Sequence, residues 1–364
     1  MTAPTDPALA CVQTLVPAIL RALHAIEFAA RHVASATLPR LVEALTGRGD
    51  DLAPALAEAR AVDWPGGLVP MREALEIAGG AAQGVLAELR AAPGDANPML
   101  AAYRSLRGYS VACGALYPLA RFLRPVSRFF IEAERRDDAA LLDALAVGTS
   151  GGLFHLGGAP GTRGGASLYV PETAAPEGGW PLVVALHGGS GNGAAFLWSW
   201  LRVARTRGVA VLAPTAKGAT WSLMEPDIDG PNIAALVEAM GEAHPLHPTR
   251  RLLTGMSDGG TFSYVLGIAT GCPYSHVAPV SASFHPMMMA MADPARVAGL
   301  PMRIVHGALD WMFPSAMAME AERAFAAAGA RVELEIVDDL SHTYPRDANP
   351  RLLDWFLTTP VTAG

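Results

Sequence analysis

The sequence predicts an α/β chain, a mostly parallel, doubly wound sheet preceded by an all-helical N-terminal domain. Three observations carry this. Up to about residue 145, apolar residues recur at three- and four-residue spacing, as in Leu15, Ile19, Leu20, Leu23 and Ile26 and again from Met71 to Leu89. From about residue 150, short β-branched runs alternate with helical segments, the pattern of strands joined by crossover helices. With 51% hydrophobic and 17% charged residues, the chain can build cores in both parts.

In the first part, breaks at Gly47-Arg48-Gly49-Asp50, Trp64-Pro65-Gly66-Gly67 and residues 93–98 divide four or five helices of about 12–25 residues. Residues 102–136 interleave Tyr103, Tyr109, Tyr117, Phe122, Phe129 and Phe130 with Arg104, Arg107, Arg121, Arg124 and Arg128. A membrane-surface helix has this texture, but the expectation is a helix pair docking its aromatic face on the second domain. Glycines crowd residues 151–165, read as a linker or a loop leading into the sheet. Strands are then expected at 166–170, 182–186, 210–213, 251–255, 277–281, 303–306 and 333–337, with helices near 193–207, 231–243, 260–270, 315–328 and 348–358. The domains are accordingly expected at 1–148 and 149–364.

Composition narrows the function. The net charge of −7 and the lack of any Lys/Arg block argue against a nucleic-acid partner. Cys11, Cys113 and Cys272 are odd in number, widely spaced and set among apolar residues, as expected of free thiols and neither a disulfide framework nor a metal site. The first residues carry no positive charge ahead of the apolar run, and no unbroken apolar stretch reaches the roughly 20 residues of a membrane span. A cytoplasmic protein with no transmembrane segment is expected.

The chemistry centres on Gly255-Met256-Ser257-Asp258-Gly259, which fits Gly-x-Ser-x-Gly between a strand and a helix. Such a nucleophile elbow lifts a serine off the carboxyl edge of a sheet. Its glycines lie where strand and helix pass too close for a β-carbon. The pattern recurs by chance, so its context decides. Leu186-His187-Gly188-Gly189-Ser190-Gly191-Asn192 precedes it, and His306-Gly307-Ala308-Leu309-Asp310 and Leu340-Ser341-His342 follow. With these four motifs in this order, residues 160–360 resemble the α/β-hydrolase superfamily. The likeness is to small bacterial phospholipase/carboxylesterase and polyhydroxybutyrate-depolymerase-like or feruloyl-esterase-like serine esterases. It does not extend to the helical part.

A serine hydroxyl needs a base, and the base needs a partner that fixes its tautomer. Ser257, Asp310 and His342 supply these in the chain order this fold uses. Each follows an expected strand, so all three emerge at the edge where α/β sheets place their sites. His306 ends a strand and is read as holding the turn before Asp310. Asp338 and Asp339 are the alternative acids, read as solvated loop charges. The resemblance implies an oxyanion hole from the N–H of Asp258 and that of Gly189, with Ser190 as the alternative to the latter. Members of the family it resembles usually carry Gln, Ala or another uncharged residue after the serine, so the Asp258 carboxylate has to point away from the oxyanion or be paired. Trp221, Phe284 and Trp311 follow strand ends and are expected to wall a pocket for an apolar or aromatic ester.

The resulting expectation is a serine carboxylic-ester hydrolase working through an acyl-enzyme with no metal or cofactor. A polyester depolymerase or a peptidase/amidase on the same triad, and more remotely a scaffold with a relict hydrolase domain, are the alternatives. The helical part is expected to cap the site or to form a homo-oligomer interface.

Overall fold

The computed structural model describes residues 6–147, 151–224 and 226–360. It divides into two compact units, Met1–Val147 and Gly148–Gly364. The boundary expected at 148/149 and the residues behind the leader reading, 1–5, lie outside the described residues.

The first unit holds α1 (Pro7–His32), α2 (Leu38–Ala44), α3 (Leu52–Ala61), α4 (Val69–Ala91), α5 (Pro98–Ser105), α6 (Gly108–Leu116), α7 (Arg124–Phe129) and α8 (Ala139–Val147). Asp6 starts α1 by accepting the Ala8 N–H at 2.8 Å, with Pro7 at the first helical position, where its missing donor is harmless. Cys11, Leu15, Ile19, Ala22 and Ile26 form the buried stripe of α1, which packs on α3 and α4. Only α1 (26 residues) and α4 (23 residues) reach the expected lengths. The expected pair over 102–136 is broken into α5, α6, a 3-10 turn and α7, with Pro118 and Pro125 ending helix after α6. Tyr117 and Phe129 pack on Phe130 with centroids 5.1 and 5.0 Å away, the Tyr109 hydroxyl donates to Glu27, and Phe122 is exposed. By length and composition α1 could cross a membrane (mean hydropathy 1.6 over its best window), half of that window being buried in the protein. Arg21, His24 and Glu27 interrupt its apolar run.

The second unit is an eight-stranded sheet with helices on its faces. In chain order come β1 (Gly152–Leu156), β2 (Ala166–Val170), β3 (Trp180–Leu186), α9 (Gly193–Arg207), β4 (Ala210–Pro214), α10 (Gly230–Ala243), β5 (Leu246–Met256), α11 (Asp258–Gly267) and β6 (His276–Val280). They are followed by α12 (Met287–Met291), α13 (Pro294–Val297), β7 (Pro301–Gly307), α14 (Ser315–Ala327), β8 (Arg331–Val337) and α15 (Asn349–Thr358). The strand order is β1-β2-β4-β3-β5-β6-β7-β8. β2 runs antiparallel to β1 and β4, and all other neighbours are parallel. This is the α/β-hydrolase arrangement. The expected linker at 151–165 is instead the first half of a hairpin. Leu153-Phe154-His155-Leu156 pairs with β2, a short run hidden among glycines.

The central strands are buried on both faces and read as continuous apolar runs. Leu182, Val184 and Leu186 of β3 join Ile233, Val237 and Met240 of α10 in one core. Met302 and Ile304 of β7 join Tyr264 of α11 and Phe325 of α14 in another. His276, on β6, is fully buried with Trp355 and Phe356 edge-on to its ring.

Burial holds His276 and His187 neutral, each near a pKa of about 4 instead of the usual 6.5. Between those values the unfolded chain binds one more proton per histidine, so folding stability rises with pH there. Acidification should therefore cost about 3 kcal/mol per histidine, beginning near pH 6.5 and complete near pH 4. Urea unfolding at a series of pH values measures this slope, and His276→Gln should flatten it. An unchanged slope in that variant would contradict the assignment.

Candidate active site

The carboxyl edge of the sheet gathers the ends of β3, β5, β7 and β8. At the end of β5, Ser257 sits at φ 55°, ψ −121°, and α11 starts with the next residue. Ser190 and Ser281 are the other two non-glycine residues with positive φ among the described residues, and both lie at this same edge. Strain of this kind persists only where surroundings fix it. For Ser257 those surroundings are its N–H, which donates to Val280 at 3.0 Å, and two close glycine approaches. A β-carbon on Gly255 would lie 2.4 Å from the Gly259 backbone, and one on Gly259 would lie 2.4 Å from the Leu186 carbonyl oxygen. Gly259→Ala must push backbone against backbone, so we expect a loss of about 3 kcal/mol or more, read as a lower urea midpoint. An unshifted midpoint would contradict the close approach.

Ser257, His342 and Asp310 come together as a hydrogen-bonded chain. His342 Nε2 lies 3.0 Å from Ser257 Oγ, and Nδ1 lies 2.8 Å from Asp310 Oδ2. All three residues are buried. The other carboxylate oxygen of Asp310 accepts the N–H groups of Met312 and Phe313, both at 2.9 Å. Burial works to raise the Asp310 carboxyl, but the hydrogen bonds from His342 and these two amides outweigh it and hold it below the usual carboxylate range. His306 is fully buried with Nε2 2.8 Å from the Phe313 carbonyl, so it ties down the turn that carries Asp310. The rings of Phe313 and Trp311 stand edge-on to His342, with centroids 5.3 and 6.2 Å away. Asp338 is exposed in the loop after β8, and the His342 ring is engaged by Asp310.

The loop after β3 lies against the elbow. A β-carbon on Gly188 would sit 3.6 Å from Ser257 Cβ. Of the two alternatives in this loop, the Ser190 N–H is engaged by Ala219 at 3.2 Å, whereas the Gly189 N–H has no acceptor among the described residues. The Asp258 N–H opens α11, one of the first-turn donors that a helix cannot satisfy internally. The Asp258 carboxylate is paired: its Oδ2 accepts the Thr220 hydroxyl at 2.5 Å and lies 2.7 Å from where a β-carbon on Gly189 would be. Thr220 could not be found from sequence, because it contacts Asp258 only through the fold. His187 braces the same loop. Its Nδ1 donates to Gly188 at 2.7 Å, and its Nε2 accepts the Ala216 N–H at 3.1 Å, a tautomer set by those partners.

The expected pocket residues divide. Trp221 is buried, stacks on Phe262 at 5.6 Å and donates its indole N–H to His187 at 2.7 Å. Phe284 is buried between Tyr264 and Phe325. Both correct the pocket-wall expectation: following a strand end does not decide whether a large ring turns inward to the core. Trp311 is 54% exposed beside His342, and Leu309 and Met312 are exposed with it. No group of three or more His, Cys, Asp or Glu side chains able to hold a metal occurs among the described residues.

Residues 230–352 match the family described as Phospholipase/Carboxylesterase. No curated protein matches the chain. Among solved structures, the substrate-bound fluorophosphonate-binding serine hydrolase F (FphF) of Staphylococcus aureus is similar at 16% identity and TM-score 0.46, covering 58% of this chain and all of that one. S-formylglutathione hydrolase from Staphylococcus aureus has 16% identity and TM-score 0.44, with 58% and 100% covered. Acetyl xylan esterase from Aspergillus awamori has 16% identity and TM-score 0.46, with 57% and 100% covered.

Proposed function

We propose that this chain is a serine carboxylic-ester hydrolase of the α/β-hydrolase type, acting through an acyl-enzyme on small to medium apolar or aromatic esters; the match of residues 230–352 to the family described as Phospholipase/Carboxylesterase supports the reading. The observation that carries this is the Ser257–His342–Asp310 chain at 3.0 and 2.8 Å, set on a strained strand-to-helix turn.

In the first half-reaction Ser257 Oγ attacks the ester carbonyl while His342 Nε2 takes the hydroxyl proton. The imidazolium that forms is stabilised by the Asp310 carboxylate, which also keeps the ring's second proton on Nδ1. Negative charge develops on the carbonyl oxygen and is met by the Gly189 and Asp258 N–H groups. Each such donor is worth about 2.7–4 kcal/mol in the transition state. His342 returns its proton to the leaving alkoxide, and the alcohol departs. Water then repeats the sequence on the acyl-enzyme and releases the acid. The exposed Leu309, Trp311 and Met312 around His342 support an apolar portion in the substrate.

The test is hydrolysis of p-nitrophenyl esters from acetate to decanoate. Turnover with an optimum at one chain length is expected, and the optimum sizes the acyl site. No hydrolysis of any length by the folded protein would overturn the reading.

A further inference from the structure

We propose that Arg163 and Lys217 form a cationic rim beside the oxyanion loop that recognises a carboxylate on the substrate, so that the preferred ester carries an apolar part and a carboxylate. This inference rests on the esterase reading and narrows its substrate class.

The glycine-rich turn between β1 and β2 falls at the carboxyl edge, because Ala166 pairs with Pro214 at the end of β4. Gly161 and Gly164, at φ 81° and 75°, bend this turn on either side of Arg163. Backbone bonds fix it: Gly164 N–H donates to Thr215 at 3.0 Å, Thr215 N–H to Gly165 at 2.8 Å, and Asn232 Nδ2 to Gly164 at 2.9 Å. The Arg163 guanidinium reaches over the oxyanion loop and donates from Nη1 to the Gly191 carbonyl at 3.3 Å. Gly191 in turn donates its own N–H to Gly188 at 3.0 Å, the residue that lies against Ser257.

Lys217, the one lysine of the chain, is placed beside it. Its N–H donates to Asp229 at 2.8 Å, and its Cγ lies 3.4 Å from where a Gly164 β-carbon would be. The two cationic side chains therefore share one rim. Both residues are exposed, and neither has a carboxylate partner among the described residues. The described acids nearby are already engaged. Asp258 accepts from Thr220, Asp229 accepts the Lys217 and Ser222 amides, and Asp227 accepts the Gly230 N–H and the Ser222 hydroxyl. In a chain of net charge −7, two cations without a carboxylate partner among the described residues, held together over a catalytic loop, form an anion receptor. The planar guanidinium, with most of its donors open, fits a carboxylate.

The experiment compares kcat/KM within matched pairs. Mono-4-nitrophenyl glutarate against 4-nitrophenyl butyrate places the carboxylate on the acyl side. 4-(Butyryloxy)benzoate against phenyl butyrate places it on the alcohol side. The wild type should favour the charged ester in at least one pair. That ratio should fall about tenfold in Arg163→Gln and again in Lys217→Gln, as loss of a charge-assisted hydrogen bond implies. Arg163→Glu should turn the ratio against the anion, and 0.5 M NaCl should compress the wild-type preference. Because each ratio is taken within one protein, a partly destabilised variant still reports. A wild type that turns over the neutral esters but shows no preference in either pair, or a preference that neither variant moves, overturns the rim and leaves the esterase reading intact. Hydrolysis of none of the four esters overturns both.

Discussion

Ser257→Ala should lower kcat/KM for a p-nitrophenyl ester by about 10⁵-fold or more, since triad members act as a unit and losing the nucleophile forfeits nearly all that the unit contributes. The variant removes one hydroxyl that donates to His342 Nε2 at 3.0 Å, so the sheet and both cores should survive. Near-ultraviolet circular dichroism alongside the kinetics separates lost chemistry from lost folding. Residual activity within tenfold of wild type would mean that another group attacks the ester.

The second large effect is expected at Asp310. In Asp310→Asn the Oδ1 position can still accept from Met312 and Phe313, at 2.9 Å in the wild type, while the amide nitrogen replaces Oδ2 opposite His342 Nδ1. A donor there favours the tautomer with the proton on Nε2, which can no longer take one from Ser257. A fall of about 10⁴ in kcat is expected with a small change in KM. A fall of less than tenfold would show that Asp310 does not fix the base. The same carboxylate contributes to the pH dependence of folding. Its folded pKa is depressed, so its stabilisation is present above the unfolded carboxylate pKa and is lost as pH falls through the folded one. Asp310→Asn should remove that segment of the acid-unfolding curve.

The triad geometry was legible because three short motifs each follow a strand, and strands of a parallel sheet end at one edge. Ser257, Asp310 and His342 could be brought together from that topology alone. Which N–H of the loop after β3 is left open could not. Gly189 and Ser190 are equivalent in sequence, and only the bond from Ser190 to Ala219 separates them. The pairing of Asp258 with Thr220 joins residues 38 apart in the chain and leaves no local signal. Trp221 and Phe284 show the limit for large rings, since a strand-end position says where the backbone is and not which way the side chain turns. β1 was missed because its three apolar residues, Leu153, Phe154 and Leu156, sit in a glycine-rich stretch whose composition resembles a linker. In the helical unit, periodicity located α1 and α4, where burial is regular. It failed over 98–129, where the break at Leu106–Arg107 and the prolines Pro118 and Pro125 leave helices of 6–9 residues.

The measurement that bears most directly on the central claim is mass spectrometry of the protein quenched during turnover of a p-nitrophenyl ester, followed by peptide mapping. The account predicts a burst of p-nitrophenol close to one equivalent of enzyme and one acyl group on the peptide containing Ser257, both absent in Ser257→Ala. Hydrolysis that continues in Ser257→Ala, or an acyl group mapped to any other residue, would contradict it.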